Sequence, residues 1–107
     1  MAYDIYLFAA LLNGKSPLDE YSYIGLWDLE LGPEEHPCQF KSAEERELEH
    51  ALLDYLRELR VDLNNRFDES SSWTECKEIP GNYSLNLGTL NIDGNIYDLY
   101  ASRIPRD

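Results

Sequence analysis

The feature that most constrains the fold is an uninterrupted helical pattern between residues 42 and 66. It begins with Ser42 and Glu45, which match a capping box in which the two side chains satisfy each other's backbone N–H groups. Neither glycine nor proline interrupts the segment, and apolar residues recur at helical spacing, at Leu48, Leu52, Tyr55, Leu56, Leu59 and Leu63. We therefore predict one long helix whose single apolar stripe packs on another layer.

Two strands are predicted before this helix. Residues 3–12 alternate with apolar side chains on both faces, which indicates a central strand. The apolar run in this strand is too short to span a bilayer, and Asp4 replaces the positive charge of a signal peptide. A second strand is predicted over residues 21–31, with one face formed by Tyr21, Tyr23, Trp27, Leu29 and Leu31. The two prolines in residues 32–37 predict a loop.

Three further strands are predicted after the helix, which residues 64–72 bring to an end. Residues 73–79 form a short strand, and Pro80-Gly81-Asn82 forms a turn. Residues 83–92 alternate until Gly88, where a shift in the apolar pattern indicates a β-bulge. Asp93-Gly94 is typical of a tight hairpin turn, which leads into a strand at residues 96–100.

The predicted order of elements is β-β-α-β-β-β. The economical architecture is a two-layer α+β fold, in which one long helix packs on one face of a mostly antiparallel sheet of about five strands. The chain has 107 residues, of which 43% are hydrophobic, and this suits a single domain spanning residues 1–107.

The sequence offers little material for catalysis, metal binding or a cofactor. Its two histidines are His36, in a proline-flanked loop, and His50, at the edge of the apolar stripe. Together with Cys38 and Cys76 they form a scattered set without the paired spacing of a zinc site. One disulfide is arithmetically allowed, but buried free thiols suit the pattern better. We therefore predict no enzyme activity, no metal and no cofactor.

The formal net charge is −12, from 21 acids and nine bases. This charge argues against direct binding of nucleic acid or of an anionic membrane, because phosphate binding requires clustered lysines and arginines. It favours a basic protein partner. The alternative is that the charge serves only to keep the protein in solution.

The charge is concentrated in residues 19–58, which contribute −9. Asp54, Glu58 and Asp62 follow one another at four-residue intervals and predict an acidic ridge on the helix, which repels itself mildly. An ordinary solvated helix face is the alternative. The helix alone is a sparse mimic of DNA, which carries about one charge per 1.7 Å of its axis. Further partner-binding acids are therefore predicted before the helix, at Asp28, Glu30, Glu34 and Glu35.

Tyrosines form the second candidate surface. The chain has eight of them, too many for a core of this size to bury. Exposed tyrosines among acids suit protein binding because each adds contact area at a small entropy cost. We predict Tyr21 and Tyr23 as partner-binding residues. Cross-strand packing that merely covers the sheet is the alternative.

These features predict a small acidic inhibitor that binds the basic, nucleic-acid-binding surface of a target complex or nuclease and competes with DNA or RNA. Phage-encoded inhibitors of CRISPR or restriction complexes are of this kind, an analogy of size and charge only. The alternatives are an immunity protein or antitoxin that neutralises a basic toxin, and an adaptor module that uses a tyrosine-rich sheet face. We expect a cytoplasmic protein and identify no family resemblance in the sequence.

Overall fold

The computed structural model describes residues 3–14, 18, 20–35, 41–69 and 72–106. Within these ranges the chain is an α+β fold with a six-stranded antiparallel sheet and two helices. The elements in chain order are β1 (Tyr3–Leu11), β2 (Ser22–Asp28), β3 (Gly32–Glu34), α1 (Ala43–Glu58), α2 (Arg60–Asp68), β4 (Thr74–Glu75), β5 (Tyr83–Ile92) and β6 (Asn95–Pro105).

The sheet has the strand order β3-β2-β1-β6-β5-β4, so the first and last long strands lie at its centre. They pair along the whole of β1, from Tyr3 opposite Pro105 to Leu11 opposite Tyr97. The predicted central strand is confirmed, and its alternation places Ile5, Leu7 and Ala9 in the core. The pairing of β1 with β6 therefore joins segments that are far apart in the sequence.

The second strand corrects the sequence prediction in two ways. It ends at Asp28, so Leu29 and Leu31 lie exposed in a turn. A bulge in its pairing with β1 makes Ile24 an extra residue, because Leu7 faces Gly25 whereas Phe8 faces Tyr23. Trp27 and Tyr23 therefore point to opposite faces of the sheet, not to the same face as simple alternation predicted.

The predicted loop at residues 32–37 begins with a short edge strand, β3, which pairs with the end of β2. Gly25 makes this close approach feasible, because a Cβ atom there would lie 2.4 Å from the backbone oxygen of Glu34 and 3.1 Å from Leu53. Glycine is used here for space and not for an unusual backbone angle. Residues 36 and 37 of the predicted loop lie outside the described residues.

The helix prediction is confirmed at its start and wrong in its continuity. The Ser42 side chain accepts a hydrogen bond from the Glu45 N–H at 3.2 Å, as the capping box requires. The helical segment then breaks at Leu59, which is 37% exposed and separates α1 from α2. The buried stripe is also rotated from the prediction: it consists of Glu49, Leu52, Leu53 and Leu56 in α1, with Leu63 and Phe67 in α2.

The C-terminal strands follow the predicted pattern with different lengths. β4 covers only Thr74 and Glu75 of the seven residues predicted. β5 and β6 form a long hairpin, and the predicted bulge is present with Gly88 at φ 92°. Asp93 and Gly94 both have positive φ angles, 52° and 88°, as a type I′ turn requires.

The helices cover one face of the sheet, and the hydrophobic core lies between the helices and this face. Ile5, Leu7, Leu99 and Ala101 from the two central strands pack in the same buried cluster as Leu52, Leu53, Leu56 and Phe67 from the helices. The opposite face carries no helix within the described ranges. It is formed by partly exposed side chains, among them Tyr6 and Phe8 of β1 and Tyr100 of β6.

Candidate protein-binding surfaces

The β2–β3 hairpin is fixed against the second helix by one asparagine. The Trp27 indole N–H donates to Asn64 Oδ1 at 2.5 Å, and Asn64 Nδ2 donates to the Leu29 carbonyl at 2.7 Å. Because Asn64 acts as both donor and acceptor, it fixes the strand and its turn at once. The hairpin, which carries Asp28, Glu30 and Glu34, is thereby joined to α2.

Two arginines strengthen the same contact. One nitrogen of Arg57 pairs with Asp54 at 2.9 Å, while the other donates to the Pro33 carbonyl at 3.3 Å. The Arg60 side chain covers Gly32, with its Cδ atom 3.4 Å from the position that a Cβ atom would take there. The hairpin and the helix junction thus form one continuous surface, which we call the acidic surface: Asp28, Glu30, Glu34, Glu35, Asp54, Glu58 and Asp62.

Three of these seven carboxylates have partners within the protein. Asp28 accepts hydrogen bonds from the Leu31 and Glu30 N–H groups at 2.9 and 2.7 Å, and these bonds lower the pKa of Asp28. It therefore shapes the hairpin turn. Glu35 lies 3.1 Å from His50 Nε2 and 3.5 Å from Arg46, while Asp54 pairs with Arg57. Such exposed or half-exposed pairs contribute little to stability.

The other four carboxylates are exposed and have no ion pair or hydrogen bond with any described residue. They are Glu30, Glu34, Glu58 and Asp62. Three arginines, Arg46, Arg57 and Arg60, lie among the seven acids, so the acidic surface remains strongly negative. Its fixed backbone and unpaired charges are what a preorganised site for a cationic surface requires.

The predicted acidic ridge is interrupted. Asp54 and Glu58 belong to α1 and Asp62 to α2, with the break at Leu59 between them. All three side chains are exposed, as a solvent-facing ridge requires. The structure therefore extends the negative charge from the helix junction onto the hairpin instead of along one straight helix.

The predicted tyrosines lie elsewhere, on the face of the sheet without a helix. We call this the aromatic face: Tyr6, Phe8, Tyr21, Tyr23 and Tyr100. The Phe8 and Tyr100 rings stack with centroids 4.9 Å apart, and Tyr21 meets Tyr100 edge-on at 4.7 Å. Tyr23 packs against Tyr6 and Phe8 at 5.9 and 5.8 Å. Such contacts add to the stability that burial alone supplies.

The electrostatics of the aromatic face differ between its tyrosines. The Tyr21 hydroxyl donates to the Asp98 carboxylate, which raises the pKa of Tyr21. Burial raises the pKa of Tyr23 to about 12 and also raises that of Tyr100. A shallow cavity of about 300 Å³ lies beside Tyr21, Ser84, Asn86 and Tyr100. Tyrosine is enriched in protein–protein interfaces, so half-exposed tyrosine rings beside a cavity suit contact with another protein.

The residues considered for catalysis are not assembled into a site. His36 and Cys38 lie outside the described residues. His50 is 59% exposed beside Glu35, and Cys76 is a free, partly exposed thiol. The described residues contain no group of three or more His, Cys, Asp or Glu side chains that could hold a metal ion. Neither described helix is long and apolar enough to cross a membrane.

One buried charge was missed by the sequence argument. Glu49 is only 1% exposed and pairs with Lys41, whose Nζ also donates to the Tyr23 carbonyl at 2.5 Å. The pair joins α1 to β2. Its signal was present in the sequence, because Glu49 precedes Leu52, Leu53 and Leu56 by three, four and seven residues and thus lies on the buried stripe.

Comparisons of the chain with protein-family models, with curated proteins and with solved structures find no match.

Proposed function

We propose that this protein acts by binding and not by catalysis, as an inhibitor whose acidic surface occupies the basic, nucleic-acid-binding surface of a target complex or nuclease. The observation that carries the proposal is the placement of Glu30, Glu34, Glu58 and Asp62. These carboxylates are exposed, unpaired among the described residues, and held on one continuous surface by Asn64 and Arg57.

The mechanism is electrostatic and steric competition with the phosphate backbone. A chain of net charge −12 attracts a basic partner over a distance set by salt, so association is fast and weakens as ionic strength rises. Because the hairpin is already fixed, little conformational entropy is lost when the complex forms. The hairpin acids add charge beside the helix junction, which supports a density nearer to that of nucleic acid than the helix alone offers.

The test is a pull-down of the tagged protein from its source host and from the phage-defence proteins of that host, washed at low and at high salt. We expect a basic nucleic-acid-binding protein that is retained at low salt and displaced by DNA or RNA. Glu58→Lys with Asp62→Lys should abolish its capture. Glu47→Lys with Glu78→Lys, an equal change of net charge outside the acidic surface, should leave capture intact.

Two outcomes would contradict this proposal. If both double variants lose the partner to the same degree, net charge and not the acidic surface governs binding. If neither loses it, the proposal is wrong. An immunity protein or antitoxin would show the same dependence on the acidic surface, with a basic toxin as the captured partner. The free Cys76 thiol supports a reducing compartment, and we propose the cytoplasm.

A second candidate function is an adaptor that binds through the aromatic face. It is favoured by the exposed position of Tyr21, which is 52% accessible, beside the cavity at Tyr100. Binding of this kind depends on apolar contact and therefore persists at high salt. Tyr100→Ala would weaken it, whereas the charge reversals of the acidic surface would not.

A further inference from the structure

Arg103 lies in a cage of three aromatic rings at one end of the sheet. Its guanidinium carbon is 4.6 Å from the ring centre of Tyr83, 5.0 Å from that of Tyr3 and 5.1 Å from that of Trp73. Tyr83 is its partner across β5 and β6, so strand pairing fixes one wall of the cage. The rings attract the guanidinium through cation–π contacts, and its N–H groups make no hydrogen bond to another described residue.

The charge of Arg103 has no acidic partner among the residues that the structure describes. In the same ranges the other arginines are each placed near an acid or bonded to a carbonyl: Arg46 and Arg106 beside Glu35 and Asp4, Arg57 on Asp54, Arg60 near Asp28, and Arg66 on the Asn86 carbonyl. An arginine without an acidic partner is unexpected in a chain with 21 acids and nine bases. Its N–H donors are available to a ligand.

A cavity of about 420 Å³ has Arg103 in its lining. It is lined by Tyr3, Gly81, Tyr83, Arg103 and Pro105, so apolar surface surrounds a single cation. Apolar walls with one placed polar group are the usual composition of a small-molecule site. Gly81 in this lining has φ 92°, and a Cβ atom there would come 3.9 Å from Pro105.

We propose that this cavity binds a monocarboxylate with a small apolar body. The planar guanidinium matches the two oxygens of a carboxylate in a forked pair, and the tyrosine and proline walls cover the apolar part. A single positive charge balances a single negative one. A phosphate dianion fits less well, because Glu75 already faces the Tyr83 hydroxyl and would repel the second charge. This site does not depend on the function proposed for the acidic surface.

The experiment is an NMR titration of the isotope-labelled full chain with benzoate, and with benzamide as its neutral counterpart. We expect saturable shifts in the millimolar range at Gly81, Tyr83 and Arg103 with benzoate. Benzamide should bind about tenfold more weakly, because it lacks the charge-assisted pair. Equal binding of the two compounds, or no saturable shift with benzoate, would overturn the proposal.

Three variants distinguish the guanidinium from a general effect of charge. Arg103→Gln should weaken benzoate about tenfold, whereas Arg106→Gln, which removes the same charge outside the cavity, should leave its affinity within about twofold. Arg103→Lys keeps the charge without the fork, should retain the fold, and should give an intermediate affinity. Equal effects of Arg103→Gln and Arg106→Gln would contradict a specific site.

The source of the carboxylate is distinguished by a second pair of probes. A short peptide that ends in a free carboxylate is titrated beside the same peptide with an amidated C-terminus. Tighter binding of the free peptide than of benzoate assigns the cavity to the C-terminus of a protein, whereas tighter binding of benzoate assigns it to a free small acid. In both cases loss of the charged group must lower the affinity about tenfold if the proposal holds.

Discussion

The two faces of the sheet are covered in different ways. The helix side is closed by aliphatic side chains, and Leu7, Ala9 and Ala101 on it are fully buried. Among the described residues no helix covers the aromatic face, and its rings lie across the strands at centroid distances of 4.7 to 5.9 Å. A helix supplies a dry layer that aliphatic residues can fill, whereas a face without a helix needs side chains broad enough to shield the backbone themselves.

The helix side of the sheet contributes to stability, whereas the exposed surfaces offer groups for recognition. Burial against the helices excludes water and so stabilises the fold, but it leaves nothing for a partner to contact. The aromatic face and the acidic surface retain exposed groups, namely Tyr21 on one and Glu30, Glu34, Glu58 and Asp62 on the other. Substitutions on the helix side should therefore affect folding most, and those on the other surfaces should affect binding most.

The largest expected effect comes from two neighbouring residues that point to opposite faces. Leu7→Ala should cost about 3–4 kcal/mol because the residue is 0% exposed and leaves a cavity in the core. Phe8→Ala should cost about 1–2 kcal/mol, because only part of the ring is buried and its stacking on Tyr100 is lost. Urea unfolding followed by circular dichroism measures both. Equal losses in the free energy of unfolding would mean that the aromatic face excludes water as well as the core does.

The buried ion pair on the helix side is the next test. Glu49→Ala should cost about 2–3 kcal/mol, because it removes the buried carboxylate that pairs with the Lys41 side chain, which is only 12% exposed. Asp54→Ala, which breaks the exposed pair with Arg57, should cost less than about 0.5 kcal/mol. The double variant Lys41→Met, Glu49→Leu should recover much of the loss, since apolar side chains can replace a buried pair. A persistent loss in the double variant would give the pair a role beyond charge balance.

The contact between hairpin and helix gives a smaller effect. Asn64→Ala removes the acceptor of the Trp27 indole and the donor to the Leu29 carbonyl, and should cost about 1–2 kcal/mol. Asn65→Ala, at the exposed neighbouring position, is the matched control and should be nearly neutral. Unfolding midpoints in urea measure the difference. If the two variants are equally stable, the hairpin is held by its strand pairing alone.

The sequence was informative where structure is decided locally. The capping box at Ser42 and the turn at Asp93-Gly94 depend on residues a few positions apart, and both were predicted correctly. The alternation of β1 was also sufficient, because the extra residue of the bulge lies in β2 and leaves the alternation of β1 unbroken. These features need no knowledge of distant parts of the chain.

The misses depend on contacts between distant segments. The bulge at Ile24 is defined by pairing with β1, and without that partner the alternation of β2 placed Tyr23 and Trp27 on one face. Leu59 carries no glycine or proline signal, so nothing local revealed the break between the two helices. The grouping of the hairpin acids with Asp54, Glu58 and Asp62 likewise depends on Asn64 and Arg57, contacts that residue spacing does not encode.

The smallest expected effect concerns two tyrosines of the aromatic face whose pKa values are raised for different reasons. Burial raises the pKa of Tyr23 to about 12, whereas the pKa of Tyr21 is raised first by its hydrogen bond to Asp98. In the unfolded chain both ionise near pH 10, at about the ordinary value for tyrosine. Between about pH 10 and 12 the unfolded state therefore loses the Tyr23 proton first, and the free energy of unfolding falls as pH rises.

Tyr23→Phe should remove this fall in the free energy of unfolding. The fall begins near pH 10, and it stays under about 1 kcal/mol because the hydroxyl remains partly solvated. Urea unfolding of wild type and variant over this range, with tyrosinate absorbance as a second readout, measures it. Asp98→Asn is the control: it should lower the pKa of Tyr21 and leave the pKa of Tyr23 unchanged. If Asp98→Asn moves both tyrosines together, charge and not burial governs the aromatic face, and the contrast between its two tyrosines fails.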